Sequence, residues 1–247
     1  MNDIKIQAIV IDSKDYKDAD KKLALFSVEH VLIWATIKGV KKPKAKLASI
    51  GQPFCYAEFL LNKKGDFYTV MNASVIENFF EITSDFDKYI VGTTMLEFCK
   101  KTIKENDQSL ELFVLLLKSL KQLEFESASS MAVLVRFLLD ALAIIGYAVK
   151  IEECSCCGSD KLLQYGFNYS FDSCGVVCKK CSAVVDNLML EPVSQGVLKN
   201  IAQTDISNIH RLKFSSRDGL VEAITVLSKQ FRISTGEELK TISQYIN

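Results

Sequence analysis

Two Cys-x-x-Cys pairs, Cys154-Ser155-Cys156-Cys157 and Cys178-Lys179-Lys180-Cys181, constrain this chain more than any other feature. Twenty residues separate Cys157 from Cys178. Each pair can turn back on itself and offer two thiolates to one ion, and two such turns complete a tetrahedral site of four sulfurs. Gly158, directly after the first pair, suits the tight turn that this spacing needs. The pattern predicts one zinc ion held by Cys154, Cys157, Cys178 and Cys181. Four thiolates fill the coordination sphere, whereas a catalytic zinc keeps a position open and commonly uses His or a carboxylate. His30 and His210, the two histidines, lie far away in sequence. A structural zinc is therefore expected, with a thiol switch that releases the ion on oxidation as the alternative. Cys156 is a possible substitute ligand, but only Cys154 and Cys157 have the right spacing. Cys174 reads as a buried apolar residue or a substitute ligand. Cys55 and Cys99 stand alone in apolar runs and read as core residues.

Clustered cysteines point to metal in a reducing compartment rather than to a disulfide framework, so a cytoplasmic location is expected. The N-terminus lacks the basic region and long apolar run of a secretory signal. The most apolar stretch, Met131–Val149, contains Arg136 and Asp140, so it reads as a buried helix and not as a membrane span. With 49% hydrophobic residues the chain can bury a sizeable core.

Residues 1–80 read as five short strands, Ile4–Ile11, Leu23–Val28, Val31–Ile37, Phe54–Leu61 and Phe67–Val75, with a polar loop expected over Asp12–Asp20. Such a pattern suits a small Greek-key barrel of the OB type, and an SH3-like barrel would give much the same one. Beyond Phe80 the period becomes helical. Helices are expected over Leu110–Leu123, over Ser130–Ile145 with Gly146 as its stop, from Pro192 to Ala202, over Arg217–Phe231 and over Glu237–Ile246. The fold class is thus α+β and multidomain: an N-terminal five-stranded OB-fold barrel, then a helical domain with an inserted four-cysteine zinc module. The expected divisions are 1–80 for the barrel, 81–150 for the first helical part, 151–185 for the zinc module and 186–247 for the C-terminal helical part.

Lys plus Arg equals Asp plus Glu at 30 each, so no global positive field is available and any basic surface must be local. Residues 1–80 hold twelve Lys against nine acids. Five of these, Lys38, Lys41, Lys42, Lys44 and Lys46, fall within nine residues that contain no acid. Gly39 and Pro43 keep this segment from forming a regular element. Five ammonium groups beside a barrel can follow phosphates and release counterions; the bland alternative is a solvated loop. Trp34 and Phe54 flank it as candidate stacking faces. Tyr16, Lys21 and Lys22 can widen the patch, and Lys179 and Lys180 can supply a weaker second one. Arg136 sits in the most apolar helix. It pairs with Asp140 one turn on, or it is a cationic spot beside a groove for an acidic, hydrophobic peptide tail.

The order of these features resembles the bacterial RecO family of recombination mediators. The likeness runs through Gln7-Ala8-Ile9-Val10, Tyr16, Ala19-Asp20-Lys21-Lys22-Leu23, Leu25-Phe26-Ser27, Lys38-Gly39-Val40-Lys41-Lys42-Pro43-Lys44 and Gln52-Pro53-Phe54. It continues through Arg136-Phe137-Leu138-Leu139-Asp140-Ala141-Leu142 and Gly146-Tyr147, followed at once by the cysteine pairs. The resemblance implies an OB-fold, a helical domain and a zinc module. It also implies binding of single- and double-stranded DNA and strand annealing. The partners it implies are RecR and the acidic tail of single-strand binding protein, so that RecA can load, in a cytoplasmic, nucleoid-associated protein with no membrane partner. Two departures stand out: the basic loop carries only Lys where the family often mixes in Arg, and Cys174 stands where the family usually has a small residue, often Gly.

No P-loop is present and two histidines make no credible catalytic triad. The expected function is therefore that of a non-enzymatic mediator. The rivals are a zinc-dependent redox or hydrolytic enzyme and a zinc-ribbon RNA-binding factor.

Overall fold

The computed structural model describes residues 2–27, 29, 31–42, 47–103, 110–125, 129–160, 162, 166–214 and 216–246. They fall into two compact units, 1–85 with 96–114, and 86–95 with 115–247.

The first unit is built on β1 (Asn2–Tyr16), β2 (Asp20–Ser27), β3 (Val31–Ile37), β4 (Cys55–Lys64) and β5 (Phe67–Asn78). They close into a barrel in the order β1-β2-β3-β5-β4. Four of the pairings are antiparallel, and β3 with β5 is parallel. This is the Greek-key closure of an OB-fold. The period-2 alternation decides what lies inside. Ile6, Ala8 and Val10 share one core with Leu23 and Leu25, with Ile33, Ala35 and Ile37, and with Cys55, Ala57, Phe59 and Leu61.

The polar stretch expected as a loop after Ile11 is mostly strand. Lys14 pairs with Lys22 and Tyr16 with Asp20, and only Lys17–Ala19 form the turn. A bulge between Val10 and Asp12 shifts the register. The Ser13 hydroxyl then donates to the Gly51 carbonyl at 2.8 Å. Lys17 closes the turn in the left-handed region, at φ 55°.

Two helices, α1 (Phe86–Thr102) and α2 (Leu110–Glu124), each contribute to both units. In the first unit Phe113 packs edge-on against Phe26 and Tyr56, with ring centroids 5.3 and 5.8 Å apart.

The second unit also holds α3 (Ser130–Ile144), α4 (Pro192–Ala202), α5 (Arg217–Thr235) and α6 (Lys240–Ile246), with a small sheet of β6 (Phe167–Ser170), β7 (Gly175–Cys178) and β8 (Leu188–Met189) in the order β7-β6-β8. The α3 helix buries ten side chains, which fits its apolar sequence. Ser129 caps its start by accepting the Ala132 N–H. Its end is a Schellman motif: Gly146 N–H donates to Ala143 O and Tyr147 N–H to Leu142 O, with Gly146 at φ 91°. β6 is anchored on α5, where the buried Tyr169 hydroxyl donates to Gln230 Oε1 at 3.0 Å. Among the described residues no helix is long and apolar enough to cross a membrane.

Candidate metal centre and nucleic-acid interface

The four predicted cysteines converge. Their sulfurs all lie within 4.8 Å of one another, and Cys157 and Cys178 Sγ are 3.9 Å apart. Metal–sulfur bonds of about 2.3 Å set a tetrahedral edge of about 3.8 Å, so the cluster fits one ion. Local structure explains the geometry. In the first turn Gly158, at φ 68°, donates its N–H to Cys154 O at 2.8 Å. The second turn leaves the end of β7 at Cys178 and enters a 3₁₀ turn at Cys181. Cys178 N–H donates to Cys154 Sγ at 3.3 Å, which links the two.

The thiols do not ionise alike. Burial pushes Cys154 up, but backbone N–H groups of Cys178, Cys157 and Cys156 outweigh it and bring the thiol down to about 6. Cys178 is lowered, chiefly by the backbone of Cys181. The Ser159 backbone bond and Cys181 pull Cys157 down, yet Cys154, burial and Cys178 hold the thiol above its ordinary value. Cys181 is pushed far up by Cys157 and Cys178. Thiolates this close oppose one another's ionisation, and a divalent cation removes the conflict. The four cysteines can therefore hold a metal ion.

Cys156 is exposed and Cys174 half-buried, and neither belongs to the cluster. Cys174 occupies a left-handed position, φ 51°, in the turn between β6 and β7, where a residue without a Cβ is least strained. The next residue, Gly175, is needed for a different reason. A Cβ there would stand 2.6 Å from the Lys150 carbonyl, because Lys150 bridges to this strand. Cys55 and Cys99 are core residues, as expected.

Lys14 and Lys22 share the outward face of β1 and β2, and Lys21 lies on the alternate side of β2. Register places Asp12, Ala24 and Trp34 in one row across β1, β2 and β3, and Lys14, Lys22 and Thr36 in the next. Lys22 Nζ lies 4.9 Å from the Tyr16 ring centroid and Lys17 Nζ 5.3 Å from it. Lys21 Nζ reaches Gln52 Oε1 at 3.4 Å. The basic segment after β3 begins as a held turn, not a free loop. Val40 is buried in the barrel core, Asp20 accepts the Gly39 N–H at 2.8 Å, and Lys41 N–H donates to Ala19 O. This arrangement leaves Lys38, Lys41 and Lys42 exposed beside the β1–β2 turn. Lys41 Nζ pairs with Asp15 at 2.7 Å, and that hydrogen bond lowers the Asp15 pKa. Lys44 and Lys46 lie outside the described residues.

Of the two candidate stacking faces, Phe54 fails. It is 2% exposed and stitched into the barrel, its N–H donating to Val10 O and its carbonyl accepting from Phe79 N–H. Trp34 is 39% exposed, with Lys14 and Lys100 Nζ 5.6 and 5.7 Å from its ring centroid. The sequence reading missed both lysines. Lys14 was legible as the outward partner of Asp12 and Tyr16 on an alternating strand. Lys100 comes from α1, and nothing in the local sequence ties it to β3.

Arg136 pairs with Asp140. Its Nε donates to one carboxylate oxygen at 2.8 Å and Nη2 to the other, while Nη1 donates to the Ile201 and Ala202 carbonyls at 3.2 and 2.7 Å. The guanidinium thus caps the C-terminus of α4, where a cation is favoured. It also borders a cavity of about 520 Å³ whose lining includes Leu139, Ile151 and the acids Glu152, Glu153 and Asp160.

An OB-type barrel joined to a helical domain that carries a four-cysteine metal module defines a two-part architecture. The chain belongs to the RecO family of DNA repair proteins. Residues 1–79 match the family model for the Recombination protein O N terminal and residues 83–241 that for its C terminal. The chain is similar to the DNA repair protein RecO of Acetivibrio thermocellus, 30% identical over 94% of this chain and 91% of that protein. It is similar to that of Desulfitobacterium hafniense strain Y51, 31% identical over 90% of this chain and 83% of that protein. The RecO of Dehalococcoides mccartyi is 27% identical over 98% of this chain and 94% of that protein.

Proposed function

We propose that this protein is a non-enzymatic recombination mediator. It binds single- and double-stranded DNA and anneals complementary strands. With RecR it helps load RecA on DNA covered by single-strand binding protein, in the cytoplasm and in association with the nucleoid. The observation that carries this reading is the lysine-rich outer face of an OB barrel in a RecO-family chain. Annealing asks for no bond-making residue. It asks that phosphate charge be neutralised so that two strands can approach, and exposed lysines supply that.

Lys38, Lys41, Lys42, Lys44 and Lys46, with Lys21 and Lys22, are the proposed phosphate contacts. The metal is proposed to be one structural zinc on Cys154, Cys157, Cys178 and Cys181, since four thiolates leave no open position for catalysis. Arg136 is the proposed contact for the acidic tail of single-strand binding protein. Docking there requires a tail carboxylate to take the guanidinium from Asp140.

DNA binding over a salt series tests the reading. Changing Lys41, Lys42 and Lys44 to Ala together should flatten the slope of log affinity against log salt by about 2 on a single strand, at about 0.7 per lost contact. Strand annealing should fall in parallel. An unchanged slope returns the segment to a solvated turn and leaves the DNA reading on family membership alone.

A further inference from the structure

We propose that Trp34 is a base-stacking platform on the outer barrel face, so that the protein holds single-stranded DNA by a base as well as by its phosphates. The proposal rests on the DNA-binding reading above and adds a subsite to it.

Geometry shows that the indole is not sandwiched between its two cations. Lys14 Nζ stands 4.0 Å and Lys100 Nζ 2.5 Å from the same oxygen, Asp12 Oδ2. The two ammonium groups are therefore at most 6.5 Å apart, the sum of those distances. Directly above and below the ring, at 5.6 and 5.7 Å from its centroid, they would stand about 11 Å apart. The two cations therefore do not sandwich the indole; one carboxylate holds both in the same sector around the ring. Among the described residues no aromatic ring is stacked on Trp34. The neighbour in the same row, Ala24, projects no bulk that would obstruct a base.

An indole 39% exposed in the middle of a charged face is poorly placed as a packing residue. The barrel core is complete without it, since the inward positions of β3 are Ile33, Ala35 and Ile37. A base stacked on the exposed indole would gain the π-contact that barrel proteins use on single strands. Its flanking phosphates would lie within the reach of Lys14, Lys22 and Lys100. In a duplex each base is already stacked and paired, so this contact favours the single strand.

Trp34 is the only tryptophan of the chain, and its emission reports the contact directly. The experiment titrates the full-length protein with an oligothymidylate of about 15 nucleotides, within the site size of one barrel. An abasic strand of the same length keeps the phosphates and lacks the bases. The oligothymidylate should quench the emission and the abasic strand should not. Trp34→Ala should weaken oligothymidylate binding between about 5-fold and 150-fold, with abasic affinity and salt slope unchanged. Trp34→Phe keeps a ring and should retain most of the affinity, which guards against a folding defect. Equal binding of oligothymidylate by Trp34→Ala and wild type would overturn the platform. So would equal quenching by the two strands, and in either case the DNA-binding reading stands. Failure of the wild type to bind either strand at low salt would overturn that reading and the platform with it.

Discussion

Replacing Arg136 by Ala separates a strut from a docking contact. The wild-type side chain is 18% exposed and Asp140 27% exposed. Four hydrogen bonds disappear together, two to the Asp140 carboxylate and two to the last carbonyls of α4. Breaking a fully buried pair costs about 3–5 kcal/mol because the remaining charge is stranded. Here Asp140 is partly exposed and Ala202 borders the cavity, so a loss of about 2–3 kcal/mol is expected. For a chain of this size each kcal/mol moves the melting temperature by about 2–4 °C. The variant should therefore melt about 4–12 °C below wild type. The assay is thermal unfolding of Arg136→Ala, Asp140→Ala and the double variant, set beside binding of an acidic C-terminal peptide. Asp140→Ala should also destabilise, and the double variant should lose less than the sum of the singles, as coupled partners do. A melting temperature within about 1 °C of wild type would refute the strut, given the size of the expected shift. Lowered stability with unchanged peptide affinity would make Arg136 a strut alone and remove it from the proposed tail site.

Two further outcomes are expected. The purified protein should carry one zinc per chain, and the Cys154→Ser, Cys178→Ser double variant should carry none and lose the fold of the module, since metal binding and local folding are coupled; full occupancy in that variant, measured by elemental analysis, would overturn the ligand assignment. Asp15→Asn should free Lys41 for phosphate, tighten single-strand binding and steepen the salt slope by up to about 0.7, and a weaker or unchanged affinity would count against Lys41 as a contact.

Much of this was legible in the sequence because the signals are local. The inward alternation of β1 to β4 gave the barrel its core, Gly146 marked the end of α3, and the cysteine spacing defined both metal-binding turns. The misreadings share one cause: partners distant in sequence. Asp12 to Tyr16 are polar yet form strand, because β2 supplies their ladder and Gly51 satisfies Ser13. Phe54 looked like an available ring beside the basic segment, but Val10 and Phe79 bracket its backbone and the barrel buries it. The two ends of the Arg136 interaction differ in the same way. Asp140, four residues on, was foreseen as a partner, whereas the α4 carbonyls lie 65 and 66 residues away.

The neutral composition also finds a physical use on the barrel. Asp12 binds Lys100 and stands near Lys14, and Asp15 binds Lys41. These carboxylates hold flexible lysine stems in place before any ligand arrives, which reduces the conformational entropy lost on binding. They also act as built-in counterions. When a phosphate replaces Asp15 at Lys41, the ammonium exchanges one anion for another. Fewer solution ions are then released than the number of lysines suggests. The exchange is feasible because an exposed pair of this kind is only weakly held. A face of this design would bind DNA with less salt dependence than a bare lysine patch. Under the proposed function it would also let strands go readily, as annealing and release of the product would require.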